Sequence, residues 1–570
     1  MPTRPSPPIT GVQPAAAPGE GVIEAAKDVR NTRSNIAPRG AWSEVICLAL
    51  AVAVPLILLA WQWAARPDLF FNEHLLFGEH GNQLFRAWRL GQGKLLYRDV
   101  ACQYGFGPVY LFAGMAVVFG NHCATLAVYH VTLEAACQAA GYALLRRFLS
   151  PWTAAAVSIV ALSRGLFYPF DPYMYWTAEY MPWERLAILG LMLTWRAPAE
   201  RTLARAALVG GILGAWQTMK FGGAAVGLTA FVLVDLLWLA TRSRPREAWR
   251  NWAQQLMTIV ATFTAIEAAR IVLAVSLLPR EIAHDSLWPA YMRGNYELLE
   301  ELGVTRRLPR WEGWKTFLRR QSVPLSFGLL ATWELCRAPR VALTARSAPA
   351  KQDVDDGPLD QDRARHACLV GLVYFLVATF TYLAHDHHYY QHAWTLIFAG
   401  AFRWSRLPRA ARLALFLLWL SPWVLTIKQT IVDPIPSDLA RWRLPNGETL
   451  FVSATSREQL AALSAVSPSD EDAGRFVLLL GMWGGGGWHR FHDPAYDLRN
   501  YLFERHVFRP YDAAELDGEL DRVAAIFSLY PLREELHREL PAPLAEKIES
   551  AFEPAREQPP AGGLWLPRRE

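Results

Sequence analysis

The sequence predicts a polytopic α-helical membrane protein of about eleven spans with a small C-terminal α/β soluble domain. Three observations predict the helices-then-sheet order. Hydrophobic residues make up 52% of the 570 and charged residues only 19%. With a mean hydropathy of +0.10, these values suit a chain partly in lipid and partly in water. Apolar runs recur along residues 41–430, many near the ~20 residues that cross a hydrocarbon core. Beyond Asp433 the runs shorten to strand length and alternate with helical patterns.

In chain order, residues 1–40 are rich in Pro, Ala and Arg and read as a disordered cytoplasmic tail. The run at 42–64 is too long, and starts too late, for a cleaved signal peptide. Further spans are expected at 123–145, 151–168, 182–196, 206–219, 221–240, 256–278, 322–337, 367–384, 389–403 and 412–427. The stretch from Pro108 to Phe119, about 12 residues, is too short to span and reads as a helix lying at the interface. The six Cys fall mostly inside apolar runs and lack metal spacing. They read as small packing residues, with a Cys102–Cys123 disulfide as the alternative. A net charge of +5 is small for this length and spread through loops, so nucleic acid is not implied.

Arg placement sets the expected orientation. With the tail inside, the connectors carrying Arg146-Arg147, Arg196 to Arg205, Arg242 to Arg250, Arg337 to Arg346 and Arg403 to Arg412 all fall on the cytoplasmic side. The other connectors carry Glu73, Glu79 and Asp99, then Asp171 and Glu179, then Lys220, then His385-Asp386-His387-His388. The unusual chemistry gathers on the outer face. One outer connector, Pro279 to Gln321, is itself basic and includes Arg306 and Arg307. Its guanidinium groups suit phosphate beside a bilayer, or else a solvated loop balanced by Glu297, Glu300 and Glu301.

Residues 431–570 form the expected extracytoplasmic domain. Strands are expected at Thr449–Ser453, Phe476–Leu480 and Val523–Phe527, with helices near Ser456–Ser464 and Ala513–Leu520. The glycines at 484–487 follow a strand but lack the Lys-Ser/Thr of a phosphate loop and the spaced glycines of a dinucleotide site. They read as a loop between Trp483 and Trp488.

The outer loop 66–122 is the most informative stretch. It runs from Phe70-Phe71-Asn72-Glu73-His74 to Tyr104-Gly105-Phe106-Gly107-Pro108 and holds several acids and bases between two apolar runs. Charges beside a bilayer mark function by default. From Glu79 to Pro108 the frame is Glu-His-Gly, then Ala87-Trp88-Arg89-Leu90-Gly91-Gln92-Gly93-Lys94-Leu95-Leu96-Tyr97-Arg98-Asp99-Val100, then Tyr-Gly-Phe-Gly-Pro. Together with Arg146-Arg147, Lys220 and His388-Tyr389-Tyr390, this ordered set resembles the GT-C superfamily of membrane glycosyltransferases, the group of aminoarabinose and protein mannosyl transferases. The resemblance covers most of residues 42–427. It implies an acid in the first outer loop that activates the acceptor, and a sugar donor carried on a polyprenyl phosphate. The chain departs from the common Asp-containing pattern by presenting Asn72-Glu73 and Glu79.

The chemistry follows without the family. Displacing a lipid phosphate from an anomeric carbon needs a carboxylate to take the acceptor proton and cations to stabilise the departing phosphate. Glu79, Asp99 and Glu73 are the candidate carboxylates. Asp99 also fits a helix cap or a partner for Arg98. Lys220, His387, His388, Tyr389, Arg306 and Arg307 are the candidate donor phosphate and sugar contacts, with snorkelling the plain alternative for Lys220. No cofactor is called for. The His cluster offers metal-type ligands but no second clustered set. Glu267 and Arg270, one turn apart within a span, are expected to pair.

The expected function is therefore transfer of a sugar from a polyprenyl-phosphate donor to a lipid, glycan or protein acceptor at the outer face of the inner membrane, by a single inverting displacement. Membrane lipids are expected neighbours. The rivals are a transporter or lipid-sugar flippase, which would favour internal repeats and broken midplane helices, and a non-catalytic scaffold. The topology is directly testable. A reporter active only outside the cytoplasm is expected to be active when fused after Pro434 and silent after Arg246; the reverse pattern would place the acids inside.

Overall fold

The computed structural model describes residues 37–77, 79–96, 100, 105–162, 181–220, 222–241, 246–277, 324–330, 358–381, 389–401, 404, 407–431, 435, 437–466, 476–480, 520–528, 542–555 and 563–568. The helices in order are α1 (Ala37–Ala65), α2 (His74–Phe77), α3 (Glu79–Gly91), α4 (Phe106–Phe119), α5 (Cys123–Leu145) and α6 (Pro151–Val157), which runs on into a π-helical turn, Ser158–Leu162. Then come α7 (Met181–Thr194), α8 (Leu203–Met219), α9 (Gly223–Thr241), α10 (Arg246–Leu277), α11 (Pro358–Thr381), α12 (Leu396–Ala401) and α13 (Arg409–Ile431).

Among the described residues, three helices are long and apolar enough to cross a membrane: Trp42–Ala65 within α1, Gly223–Ala240 within α9, and α10. Only 11% of the most apolar window of α10 is buried. Met257, Val272, Leu273 and Val275 on it face outward, as do Val45 and Ile57 on α1 and Leu413, Leu417 and Val424 on α13. An exterior this greasy belongs in lipid, because water would penalise so large an apolar patch. A helix is present over the expected stretch from Pro108 to Phe119 as α4, with Phe112 buried and Val117, Val118 and Phe119 outward. Helix α10 starts ten residues before its expected span, since no Gly or Pro interrupts 246–256 and Glu247 suits the positive helix start. The Glu267–Arg270 pair forms as expected, with Arg270 Nε donating to Glu267 Oε2 at 2.9 Å. Cys47, Cys137 and Cys368 are free, buried thiols, so the packing reading holds for them.

Contacts sort the connectors into two ends. At one end Arg146 pairs with Glu44, and Arg147 donates to the Leu193 carbonyl. There Arg201 makes a two-pronged bond to Asp235 at 2.8 and 2.6 Å. Trp195 Nε1 donates to the same carboxylate at 3.0 Å and stacks on His366. Gln255 reaches back to the carbonyls of Pro198 and Arg201, both at 2.7 Å. The Arg201–Asp235 pair is fully buried, so removing one partner would cost about 3–5 kcal/mol. The half-exposed Arg146–Glu44 pair is worth far less. The acidic connector, Lys220 and the C-terminal residues meet at the other end.

Glycines let the helices close up. A Cβ on Gly210 would lie 2.5 Å from the Ile259 carbonyl, and one on Gly214 would lie 2.7 Å from Ile266. This spacing of small residues four apart is a standard way for membrane helices to bring backbones together. Here it packs α8 along α10.

The C-terminal elements are β1 (Leu439–Arg443), β2 (Thr449–Ser453), α14 (Ala454–Val466), β3 (Phe476–Leu480), β4 (Val523–Ser528), α15 (Ala542–Ala551), β5 (Phe552–Pro554) and β6 (Gly563–Pro567). The expected strands and the helix after Ser453 are in place; 513–519 lies outside the described residues. Strands β1 and β2 pair as an antiparallel hairpin, Arg441 opposite Phe451. The second sheet runs β3-β4-β6-β5, with β3 parallel to β4 and the other pairs antiparallel. Leu450, Val452, Leu460 and Leu463 share one buried cluster with Leu75, Leu76, Leu84 and Phe112 of the first connector.

The glycine packing yields a paired test. Gly210→Ala forces a methyl against a backbone oxygen and is expected to destabilise by about 1–3 kcal/mol, whereas Gly211, with nothing within 4 Å, should accept Ala without loss. Thermal unfolding in detergent would check both, and equal effects would refute the packing account.

Candidate functional site

Lys220 stands at the break between two helices. Helix α8 ends at Met219, and Lys220 turns to extended backbone while its N–H still reaches the Trp216 carbonyl at 2.9 Å. Gly222 takes φ +80°, which a side chain would resist, and α9 starts at the next residue. Gln217 Oε1 accepts the Gly222 N–H at 3.2 Å and holds the turn.

From this break Lys220 Nζ points inward to Glu184 Oε2 at 3.5 Å, the two side chains being 12% and 3% exposed. Lys220 therefore does not snorkel to water, and its charge is met by a buried carboxylate. Glu184 Oε1 accepts from the Tyr374 hydroxyl at 3.0 Å. That hydroxyl also lies 3.5 Å from His392 Nδ1, whose ring stands edge-on to Tyr374. Trp216 lies flat against Gly223 and Gly227, where a Cβ would overlap its ring, and tilts against Tyr374. Residues from α7, the α8–α9 break, α11 and the 3-10 turn Tyr389–Thr395 thus converge on one charged cluster.

Glycines also bring the acidic connector here. A Cβ on Gly105 would collide with the Thr218 carbonyl, and one on Gly107 with Met219. The Gly105-Phe106-Gly107 part of the motif is thereby laid directly on the two residues before Lys220. Helix α5 sutures the remaining pieces. His130 Nε2 meets Gln83 Oε1 of α3 at 3.0 Å. The Tyr129 hydroxyl donates to the Pro108 carbonyl at 3.3 Å and accepts from Trp183 Nε1 at 3.0 Å. Arg185 donates to Glu134 at 2.6 Å, and the Cys137 thiol to the Pro182 carbonyl at 3.5 Å. Glu184 sits between two residues pinned to α5, so its position is inherited from that helix.

Of the residues expected from sequence, Lys220 is the one whose side chain the structure places in this cluster. Glu73 lies in the turn before α2, and its Oε2 is buried with no hydrogen-bond partner among the described residues. Glu79 opens α3, and Tyr389 opens the 3-10 turn that carries His392. Asp99, Arg306, Arg307, His387 and His388 lie outside the described residues. Sequence reasoning missed Glu184, Tyr374 and His392. The available signal was Glu184-Arg185, two charges inside an expected span, which are rarely idle there. Among the described residues no group of three or more His, Cys, Asp or Glu is placed to hold a metal.

No family model matches the chain, and no curated protein matches it significantly. Among the solved structures similar in backbone course are two membrane enzymes. One is the apo oligosaccharyltransferase of Archaeoglobus fulgidus, with 12% identity, a TM-score of 0.43, and coverage of 89% of this chain and 72% of that one. The other is ArnT from Cupriavidus metallidurans, solved bound to undecaprenyl phosphate, with 10% identity, a TM-score of 0.38, and coverage of 93% and 98%. At these values neither likeness assigns an activity or a site residue to this chain.

The ion pair makes a sharp expectation. Glu184→Ala strands a buried ammonium and Lys220→Met strands a buried carboxylate, each costing about 3–5 kcal/mol. The double variant strands neither and should melt above both singles. Additive losses in a double-mutant cycle would mean that the two side chains do not interact.

Proposed function

We propose that the chain is a membrane glycosyltransferase of GT-C type. It moves a sugar from a polyprenyl-phosphate donor to a lipid, glycan or protein acceptor at the outer face of the inner membrane. The observation that carries this reading is the lysine held in a nearly water-free cluster under the glycine motif of the acidic connector. A cation kept dry and pre-aimed stabilises a leaving phosphate far better than one in water.

The roles follow from the side chains. Lys220 carries three N–H donors, so it can keep Glu184 and also bind a phosphate oxygen. Tyr374 and His392 stand beside it as further polar groups. A carboxylate of the connector, Glu79, Asp99 or Glu73, takes the acceptor hydroxyl proton as that oxygen attacks the anomeric carbon. The bond to the phosphate oxygen breaks on the opposite face, so configuration inverts, and the polyprenyl phosphate leaves as the dianion beside Lys220. Arg306, Arg307, His387, His388 and Tyr389 supply additional contacts to phosphate and sugar in this reading. The buried Oε2 of Glu73, unpartnered among the described residues, suits a base that has little water to compete for it.

Purified protein given a labelled polyprenyl-phosphate sugar and acceptor extract should yield labelled product. Glu79→Gln is expected to reduce transfer by about 10²–10⁴ with donor binding kept, the usual cost of losing a general base. Asp99→Asn and Glu73→Gln, measured beside it, would reassign the base if either fell further. Ordinary rates in all three folded variants would remove these carboxylates from the role of base, whereas a parent chain that transfers no sugar would favour the transporter reading.

A further inference from the structure

Helix α5 begins without a cap of its own. His122 precedes it but makes no side-chain cap bond, so the first amides of the helix need acceptors from elsewhere. They find them 325 residues away in the hairpin: Cys123 N–H donates to Glu448 Oε2 at 3.1 Å and Ala124 N–H to Glu448 Oε1 at 3.3 Å. The carboxylate is held in this pose by its own turn. Asn446 Nδ2 donates to Oε2 at 2.6 Å, and Gly447 supplies the φ of +88° that closes the loop. A negative charge here also meets the positive end of the helix.

A second attachment lies at the outer edge of β2. Phe451 N–H donates to the Phe71 carbonyl at 2.7 Å, and Asn72 bridges to Phe451 in parallel register. On its other side the same turn is fastened to the end of α1. Asn72 Nδ2 reaches the carbonyls of Asp68 and Leu69 at 3.3 Å, and Asp68 takes two bonds from Arg66 at 2.9 and 2.8 Å. Glu73 is the next residue. Between the two attachments, Leu450, Val452, Leu460 and Leu463 bury themselves against Leu75, Leu76 and Leu84, which flank Glu79 in sequence.

We propose that the C-terminal hairpin is a working part of the site, a brace that positions the acidic connector through Glu448 and the β2 edge. As a claim about catalysis it rests on the transferase reading above; as a claim about order it does not. Two of the three candidate carboxylates, Glu73 and Glu79, lie in the segment pressed between the hairpin and helices α4 and α5. Helix α5, whose first turn Glu448 holds, also carries Tyr129 and Glu134, which fix the residues on either side of Glu184. Loosening the hairpin should therefore disturb the acids first and the lysine cluster less.

The test uses the full-length chain in lipid nanodiscs with Glu448→Ala, Glu448→Asp and Phe451→Pro. The last removes the amide aimed at Phe71 and spares the β1 ladder, because Phe451 points that N–H away from β1; since it also removes the ring beneath Arg441, Phe451→Ala, which keeps the amide, is the control. Hydrogen exchange at amides 70–76 and 122–126 should speed up about fivefold to tenfold in Glu448→Ala, the equivalent of one lost helix cap, and recover in part in Glu448→Asp. Phe451→Pro should speed 70–76 and spare 122–126. Transfer should fall through kcat, with polyprenyl-phosphate binding unchanged. Unchanged exchange at 70–76 in both Glu448→Ala and Phe451→Pro overturns the brace, as does a matching loss of donor binding, which would signal general unfolding. A parent chain that transfers no sugar would defeat the functional reading while the exchange data still decide the brace.

Discussion

A lysine and a glutamate facing each other inside a helical bundle govern how this end of the molecule is built. Taking each charge out of water costs several kcal/mol, and their attraction repays it only when geometry and further hydrogen bonds are good. Everything around the pair serves that condition. The break at Gly222 turns the lysine inward, Tyr374 occupies the second oxygen of Glu184, and Trp216 on its glycine shelf closes the side. Without those partners the same two residues would be a liability rather than a site.

The opposite end offers an instructive contrast. Arg201 and Asp235 are buried just as deeply, but they are bonded at more points: two prongs between them, Trp195 on the carboxylate, and the Arg196 carbonyl on the guanidinium. Such a fork is rigid and has little reason to release a partner. The ammonium of Lys220 is a point charge with donors that can be re-aimed. One end is therefore suited to clamping connectors, and the other to receiving an anion.

What could be read from sequence tracks how local each cause is. Helix α5 falls at 123–145, where its apolar run lies, because composition alone decides it. Strand β2 was legible as a short apolar run of strand length, and in the structure its burial alternates along it. Lys220 stood out as a lone cation closing an apolar run. Its partner did not, since Glu184 lies 36 residues earlier and nothing local marks the pairing. Tyr374 and His392 look like ordinary members of apolar runs. The Pro445-Asn446-Gly447-Glu448 segment is readable as a turn, yet the helix start it caps is remote in the chain. The glycines of the Tyr-Gly-Phe-Gly-Pro motif were noticed as a pattern; that each removes a clash with 218–219 required three dimensions.

The glycine seam between α8 and α10 has a further consequence, because it makes α10 a depth gauge. Gly214 abuts Ile266, so the level of Lys220, six residues on, falls at Val272 of the parallel partner. Trp249 and Trp252 stand near the start of the same helix, and indoles of this kind settle at the headgroup plane. From Trp252 to Val272 is about 30 Å at ~1.5 Å per residue, one hydrocarbon thickness. The break that carries Lys220 therefore stands about one hydrocarbon thickness along the bundle from that tryptophan pair, so the two mark levels a bilayer's width apart.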